Sequence, residues 1–116
     1  ARFGLDPKTM SWLHADVVLV FLGVTVSLLL ALRLTDAPRR AVARAAVLLG
    51  VSLAQGTVGY VQYFTGLPEA VVALHMLGAT LVWIATLRLL FALRTRDRLQ
   101  PPAPAAPAPT ATTRAG

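Results

Sequence analysis

At 116 residues the chain is long enough for one modest domain, but 56% hydrophobic and only 14% charged residues exclude an ordinary water-soluble globule and suit a bilayer. A net charge of +6 in a polar protein would raise nucleic acid as a partner; here the basic residues sit beside long apolar runs, so no nucleic acid is expected and orientation in a lipid bilayer is the better account. The chain has no cysteine, which removes disulfides, thiolate metal sites, iron–sulfur clusters and covalent cofactor attachment through C-x-x-C-H, and leaves His or oxygen ligands for any metal.

The sequence begins at Ala1 with no signal-type pattern ahead of the first long apolar run, so it reads as a fragment or trimmed product, with residues 1–10 as an external segment. A first transmembrane helix is expected over residues 11–33, interrupted near its start by His14 and Asp16 and long enough for the hydrocarbon core. The loop at 34–40 carries Asp36, Pro38, Arg39 and Arg40, and Arg33 and Arg44 flank it; these mark a cytoplasmic side by the positive-inside rule. A second transmembrane helix follows over 41–63. The turn at 64–67, Phe64-Thr65-Gly66-Leu67, has no basic residue and is expected outside.

Pro68 suits the first turn of a third transmembrane helix, over 68–94, since its missing N–H would be unpaired there anyway. Trp12, Tyr60 and Tyr63 fall at the outer boundary, where amphipathic rings prefer to sit, and Arg88 is near enough to the inner end to snorkel. Arg94, Arg96 and Arg98 then repeat the cytoplasmic signal. Residues 95–116, rich in Pro and Ala, offer no apolar periodicity and are expected to form a disordered cytoplasmic tail. The fold class is therefore all-α and integral to the cell membrane, multi-pass, with the N-terminus outside and the C-terminus in the cytoplasm.

An ionisable side chain inside a span is a functional candidate by default, although one near the interface can simply be wet. His14 and His75 are the two histidines, and both lie in spans, at depths that differ by roughly 6 Å at 1.5 Å per residue. Two imidazoles at similar depth on helices of the same direction can ligate one iron from opposite sides, as bundle cores hold cofactors between facing helices. The bland alternative is two interfacial histidines in unrelated contacts.

A flat cofactor needs small residues where backbone approaches it. Gly78 and Ala79 share the face of His75, and Ser52, Gln55, Gly56, Gly59 and Gln62 make a small, polar stripe on the second helix. Ordinary small-residue packing, as in Ala46-x-x-x-Gly50-x-x-x-Ala54, is the competing account of that stripe. Asp16 lies about 200° round the helix from His14 and reads as a solvated residue near the interface. Asp6, Asp16, Asp36, Glu69 and Asp97 form no pair at close helical spacing, and neither a phosphate-binding glycine loop nor a nucleophile elbow appears, so hydrolysis and phosphoryl transfer have no support and no catalytic residue is assigned.

Taken in order, Leu13-His14-Ala15-Asp16, the run Gln55-Gly56-Thr57-Val58-Gly59-Tyr60-Val61-Gln62-Tyr63-Phe64-Thr65-Gly66-Leu67-Pro68 and Leu74-His75-Met76-Leu77-Gly78-Ala79 resemble the haem A synthase family, especially its actinobacterial members. The likeness covers residues 1–95 and leaves out the tail. That family is built from two similar four-helix halves, each with a pair of haem-ligating histidines, and oxidises the carbon-8 methyl group of haem O to the formyl group of haem A for cytochrome oxidase assembly. The resemblance implies that this chain is the last three helices of the second half, part of a four-helix haem-binding bundle. His14 and His75 would then be the iron ligands of a cofactor haem b, with Gln55, Gly59 and Gly78 against it.

The partners so implied are the bilayer, the N-terminal half of the same protein, and substrate haem O in the full protein; self-association as a homo-oligomer is left open. The family's functionally important carboxylate belongs to the first half, so turnover is not expected of this chain alone. Two other readings use the same residues: a small membrane cytochrome b that only carries electrons, and a non-enzymatic membrane subunit or assembly factor whose Gly-rich second helix packs on a partner.

Overall fold

The computed structural model of the protein describes Gly4 and residues 6–94, so the Pro/Ala-rich segment at 95–116, with Arg96 and Arg98, lies outside the described residues. Helix α1 spans Pro7–Leu34, α2 spans Arg39–Phe64 and α3 spans Glu69–Arg94. Their 28, 26 and 26 residues correspond to about 40 Å each at the α-helical rise, and all three are long and apolar enough to cross a bilayer. The architecture is an all-α arrangement of three such helices.

Helix α1 begins four residues before the expected start at position 11. Pro7 supplies the reason: its fixed φ suits the first helical position, and Met10 N–H already bonds to the Asp6 carbonyl. Lys8 and Thr9 are polar but compatible with a helix, so the apolar run marks the part that needs lipid and not the whole helix.

Both connections are built alike. At the end of α1, Asp36 adopts φ 49° and Ala37 N–H bonds to the Leu32 carbonyl at 3.0 Å; at the end of α2, Gly66 adopts φ 78° and Leu67 N–H bonds to the Gln62 carbonyl at 3.0 Å. This left-handed cap with a six-residue back-bond satisfies carbonyls that the helix ends would leave open. Pro38 and Pro68 follow, each immediately before a helix, and their carbonyls accept the N–H groups that start α2 and α3. Within the spans, the hydroxyls of Thr25, Ser27, Thr57, Thr80 and Thr86 donate to the carbonyl four residues back, which satisfies them where lipid offers no partner.

Packing is uneven along the bundle. The core gathers at the end that holds the α1–α2 turn: Leu29 and Leu32 of α1, Ala37 of the turn, Ala41, Ala45 and Leu48 of α2, Ala85 and Leu89 of α3. Ala45 is fully enclosed, because its single methyl lets the helix backbones come close. The small-residue face is thus Ala41, Ala45 and Ser52, and not the Ala46, Gly50, Ala54 set: Gly50 and Ala54 are exposed, nearly half a helical turn away.

Helix α2 is the middle helix, packed against both others, while no Cα of α1 comes within 8 Å of one of α3 among the described residues. No residue of α1 before Thr25 is buried, so its N-terminal half stands off from the rest. Large apolar side chains such as Val20, Leu19 and Trp83 are left uncovered by the chain itself, as suits contact with lipid. At the α2–α3 end, Tyr60 stacks on Phe64 and Tyr63 meets the same ring edge-on, an aromatic cluster of the kind that settles at membrane interfaces.

Because Ala45 is enclosed by packed helices, A45L should destabilise the fold by about 1–3 kcal/mol, whereas A43L, at an exposed position of the same helix, should be close to neutral. The midpoints of denaturant-induced unfolding of the two variants in mixed micelles measure the difference.

Candidate functional site

His14 stands seven residues after Pro7 on α1, and His75 six residues after Glu69 on α3, both counted from the α2–α3 end. The earlier start of α1 therefore brings the two histidines to nearly the same level. Their rings approach across the opening between α1 and α3, with centroids 6.3 Å apart and planes at 76°. His14 is otherwise exposed, and His75 is half-buried. These two side chains span a gap that the helix backbones do not close.

Helix α2 forms the floor beneath His75. A Cβ at Gly59 would lie 3.1 Å from Cε1 and 3.6 Å from Nδ1 of that ring, so glycine is what allows the imidazole to lie against the backbone of α2. One turn farther on, Gln62 is on the same face. Among the described residues, His75 Nδ1 and Gln62 Oε1 are both buried and have no hydrogen-bond partner, and the same is true of Ser52 Oγ deeper along that face. Three unsatisfied polar atoms along one helix–helix seam are unusual, since buried polar groups are nearly always paired.

Gln55 and Gly78 have a different setting from Gly59. Gln55 Nε2 donates to the His75 carbonyl at 2.6 Å, and a Cβ at Gly78 would run into Gln55 Oε1. The glycine provides the space in which the amide lies, and the amide ties α2 to the peptide group of His75. Both residues therefore sit in the α2–α3 contact, where they fix the height of His75 along α2. Gly56 is half-buried with open space where its side chain would be, and Ala79 and Asp16 are exposed. A shallow apolar groove of about 150 Å³ between α2 and α3 also has Gln55 and Gly78 in its wall, but neither histidine lines it.

The donor set decides which metal chemistry is possible. Among the described residues no group of three or more His, Cys, Asp or Glu side chains gathers, so a bare tetrahedral metal site has too few ligands. Two imidazoles suffice only where the group brings its other ligands with it, as a tetrapyrrole does. Metal–imidazole bonds of about 2.0 Å, with each nitrogen roughly 1.1 Å from its ring centre, put two axial imidazole centroids about 6 Å apart. The observed 6.3 Å matches that separation, and Gly59 gives the His75 ring its seat against α2; the partner that a ligating imidazole usually has on its other nitrogen is not among the described residues.

The fold and the histidine pair together define an all-α protein of three long apolar helices with two apposed imidazoles between its first and third helices. No protein-family model matches the chain, and neither a curated protein nor a solved structure matches it.

Sequence reasoning placed His14, His75 and Gly59 on facing elements but could not see the Gln55–Gly78 clamp, because it depends on how α2 and α3 are rotated about their axes. G78A should expel the Gln55 amide and destabilise the fold by about 1–3 kcal/mol, while G50A, which meets open space, should be neutral or slightly stabilising. Unfolding midpoints of both variants, together with hydrogen exchange along α2 and α3, provide the check.

Proposed function

We propose that this chain is the haem-binding C-terminal part of a membrane haem A synthase, in which His14 and His75 would hold the iron of a cofactor haem b. The observation that carries this reading is the pair of level imidazoles at 6.3 Å across an opening that the backbones leave free. The order of its His, Gln-Gly, Thr-Gly-Leu-Pro and His motifs adds the resemblance to that family.

In this reading the chain's own residues have separate tasks. Gln55 sets the level of His75 by holding its carbonyl, and Gly59 admits the ring against α2. With Nδ1 turned in beside Gly59, Nε2 of His75 would be the atom offered to the iron. The open N-terminal half of α1 gives His14 an approach from the opposite side. Bound haem supplies one-electron redox chemistry, and two imidazoles on one iron leave no position for oxygen, so electron transfer to or from a neighbouring substrate haem O is the role assigned. The missing N-terminal half would complete the bundle and hold that substrate.

Orientation follows from charge. Arg33, Arg39, Arg40, Arg44, Arg88 and Arg94 all lie towards the α1–α2 end, which is assigned to the cytoplasm, and the histidine pair then lies towards the outer face. In a cell, T65C should react with a membrane-impermeant thiol reagent added outside, against a background that contains no other cysteine in this chain. Labelling only after permeabilisation would reverse the orientation.

The functional test uses the protein with the helices that this reading places upstream of Ala1. It should bind haem in a low-spin form, and H14A or H75A should loosen the haem or shift its visible spectrum to high spin while the helical fold persists. An unchanged low-spin spectrum in both variants would remove these histidines as ligands, and a colourless protein would favour the non-enzymatic subunit. Low-spin haem without oxidation of haem O would favour the small electron-carrying cytochrome b.

A further inference from the structure

The α1–α2 end carries more positive charge than the fold neutralises. Arg33 closes α1, Arg39, Arg40 and Arg44 open α2, and Arg88 and Arg94 lie in the last turns of α3. Among the described residues none of these arginines forms an ion pair with a carboxylate. Arg44 is instead fastened across the helix pair, its Nη1 donating to the Arg88 carbonyl at 2.6 Å. That bond uses one of five guanidinium N–H donors and holds the rest beside the turn from which Arg88 projects. Arg40 is one turn before Arg44 on the same face of α2.

Three like charges held together at the edge of a membrane span call for an anion. Arg44 is five residues inside the start of α2 and Arg88 six residues before the end of α3, roughly 8 Å below the helix ends, a depth from which their long side chains can snorkel to the lipid headgroups.

Helical phase connects this cluster with the apolar groove described above. Val51 and Val58 follow Arg44 at seven and fourteen residues, and Leu81 and Leu74 precede Arg88 at the same spacings, so charges and groove lie on one face of the α2–α3 pair. From the level of Arg44 to that of Val58 is about 20 Å, comparable with an extended acyl chain.

We propose that this face is a binding site for an anionic phospholipid, its phosphate held by Arg40, Arg44 and Arg88 and one acyl chain lying in the groove lined by Val51, Ala54, Val58, Leu74, Leu77 and Leu81. Arginine is suited to the first task because its planar fork grips phosphate oxygens in pairs, and the second needs only an apolar channel that starts below the charges. The arginines lie at the opposite end of the bundle from the histidine pair, which lines no part of the groove, although Gln55 and Gly78, which set the height of His75, stand in its wall.

Native mass spectrometry of the whole chain released from micelles, with dioleoyl phosphatidylglycerol, dioleoyl phosphatidylcholine or inorganic phosphate as probes, tests this. Phosphatidylglycerol should be retained in preference to phosphatidylcholine, and R88Q should weaken its retention by about fivefold. R88Q leaves the Arg44 bond intact, because Arg88 contributes only its carbonyl to it. L77W, which fills the groove, should weaken retention as well, and K8Q at the opposite end should have no effect. Equal retention of the two lipids, or undiminished retention in R88Q, would overturn the proposal. Displacement of the lipid by millimolar phosphate, or indifference to L77W, would overturn it in favour of a site for soluble anions or of a packing surface for another helix.

Discussion

The close approach of α2 to α3 beside His75 is the contact on which the rest of the arrangement depends. Gln55 reaches across to the His75 carbonyl because Gly78 leaves room for its amide, and Gly59 one turn away lets the imidazole lie on the α2 backbone. A membrane helix pair gains little from burying apolar surface, since lipid is equally apolar, so close backbone packing and a cross-helix hydrogen bond are what remain to set its register. The height of His75 follows from that register. The height of His14 follows from the start of α1 at Pro7 and from its attachment to α2 through the core at the other end.

That division of labour explains why the molecule is tight at one end and open at the other. Ala41, Ala45 and Leu48 draw all three helices together near the α1–α2 turn, while α1 has no buried residue before Thr25. A bundle packed uniformly along its length would have no space between α1 and α3 for a planar cofactor. The opening that remains is bridged by two imidazoles and bordered by polar atoms of Gln62 and His75 that have no partner. Leaving such groups unpaired costs about 1–3 kcal/mol each.

The three long helices were legible in the sequence because apolar runs of bilayer length have few other uses. The level of the histidines was legible only approximately. Lys8 and Thr9 suggested that α1 began at Ser11, and Pro7 as a helix starter was the signal that would have corrected the depth of His14. The turns were readable in outline: Gly66 supplied the left-handed residue of one cap, but the same conformation at Asp36 was not announced by a glycine. Rotation about the helix axis was the part that could not be read. The repeat Ala46, Gly50, Ala54 has the spacing of a packing motif, yet the chain buries Ala41, Ala45 and Ser52 on the other side of α2. A lipid-facing small residue carries no penalty that the sequence could display, so both stripes look alike until the neighbouring helix is in place.

The central claim is that His14 and His75 face each other in order to hold one haem iron, and their ring planes give that claim a signature of its own. If both side chains held one iron with their rings near the observed 76°, the ferric haem would be low-spin with nearly degenerate orbitals. Low-temperature electron paramagnetic resonance of the oxidised, haem-loaded protein should therefore show a strongly anisotropic low-spin signal dominated by a single large g-value. A rhombic three-line spectrum, as from parallel imidazoles, or a high-spin signal would contradict ligation by this pair in the geometry described.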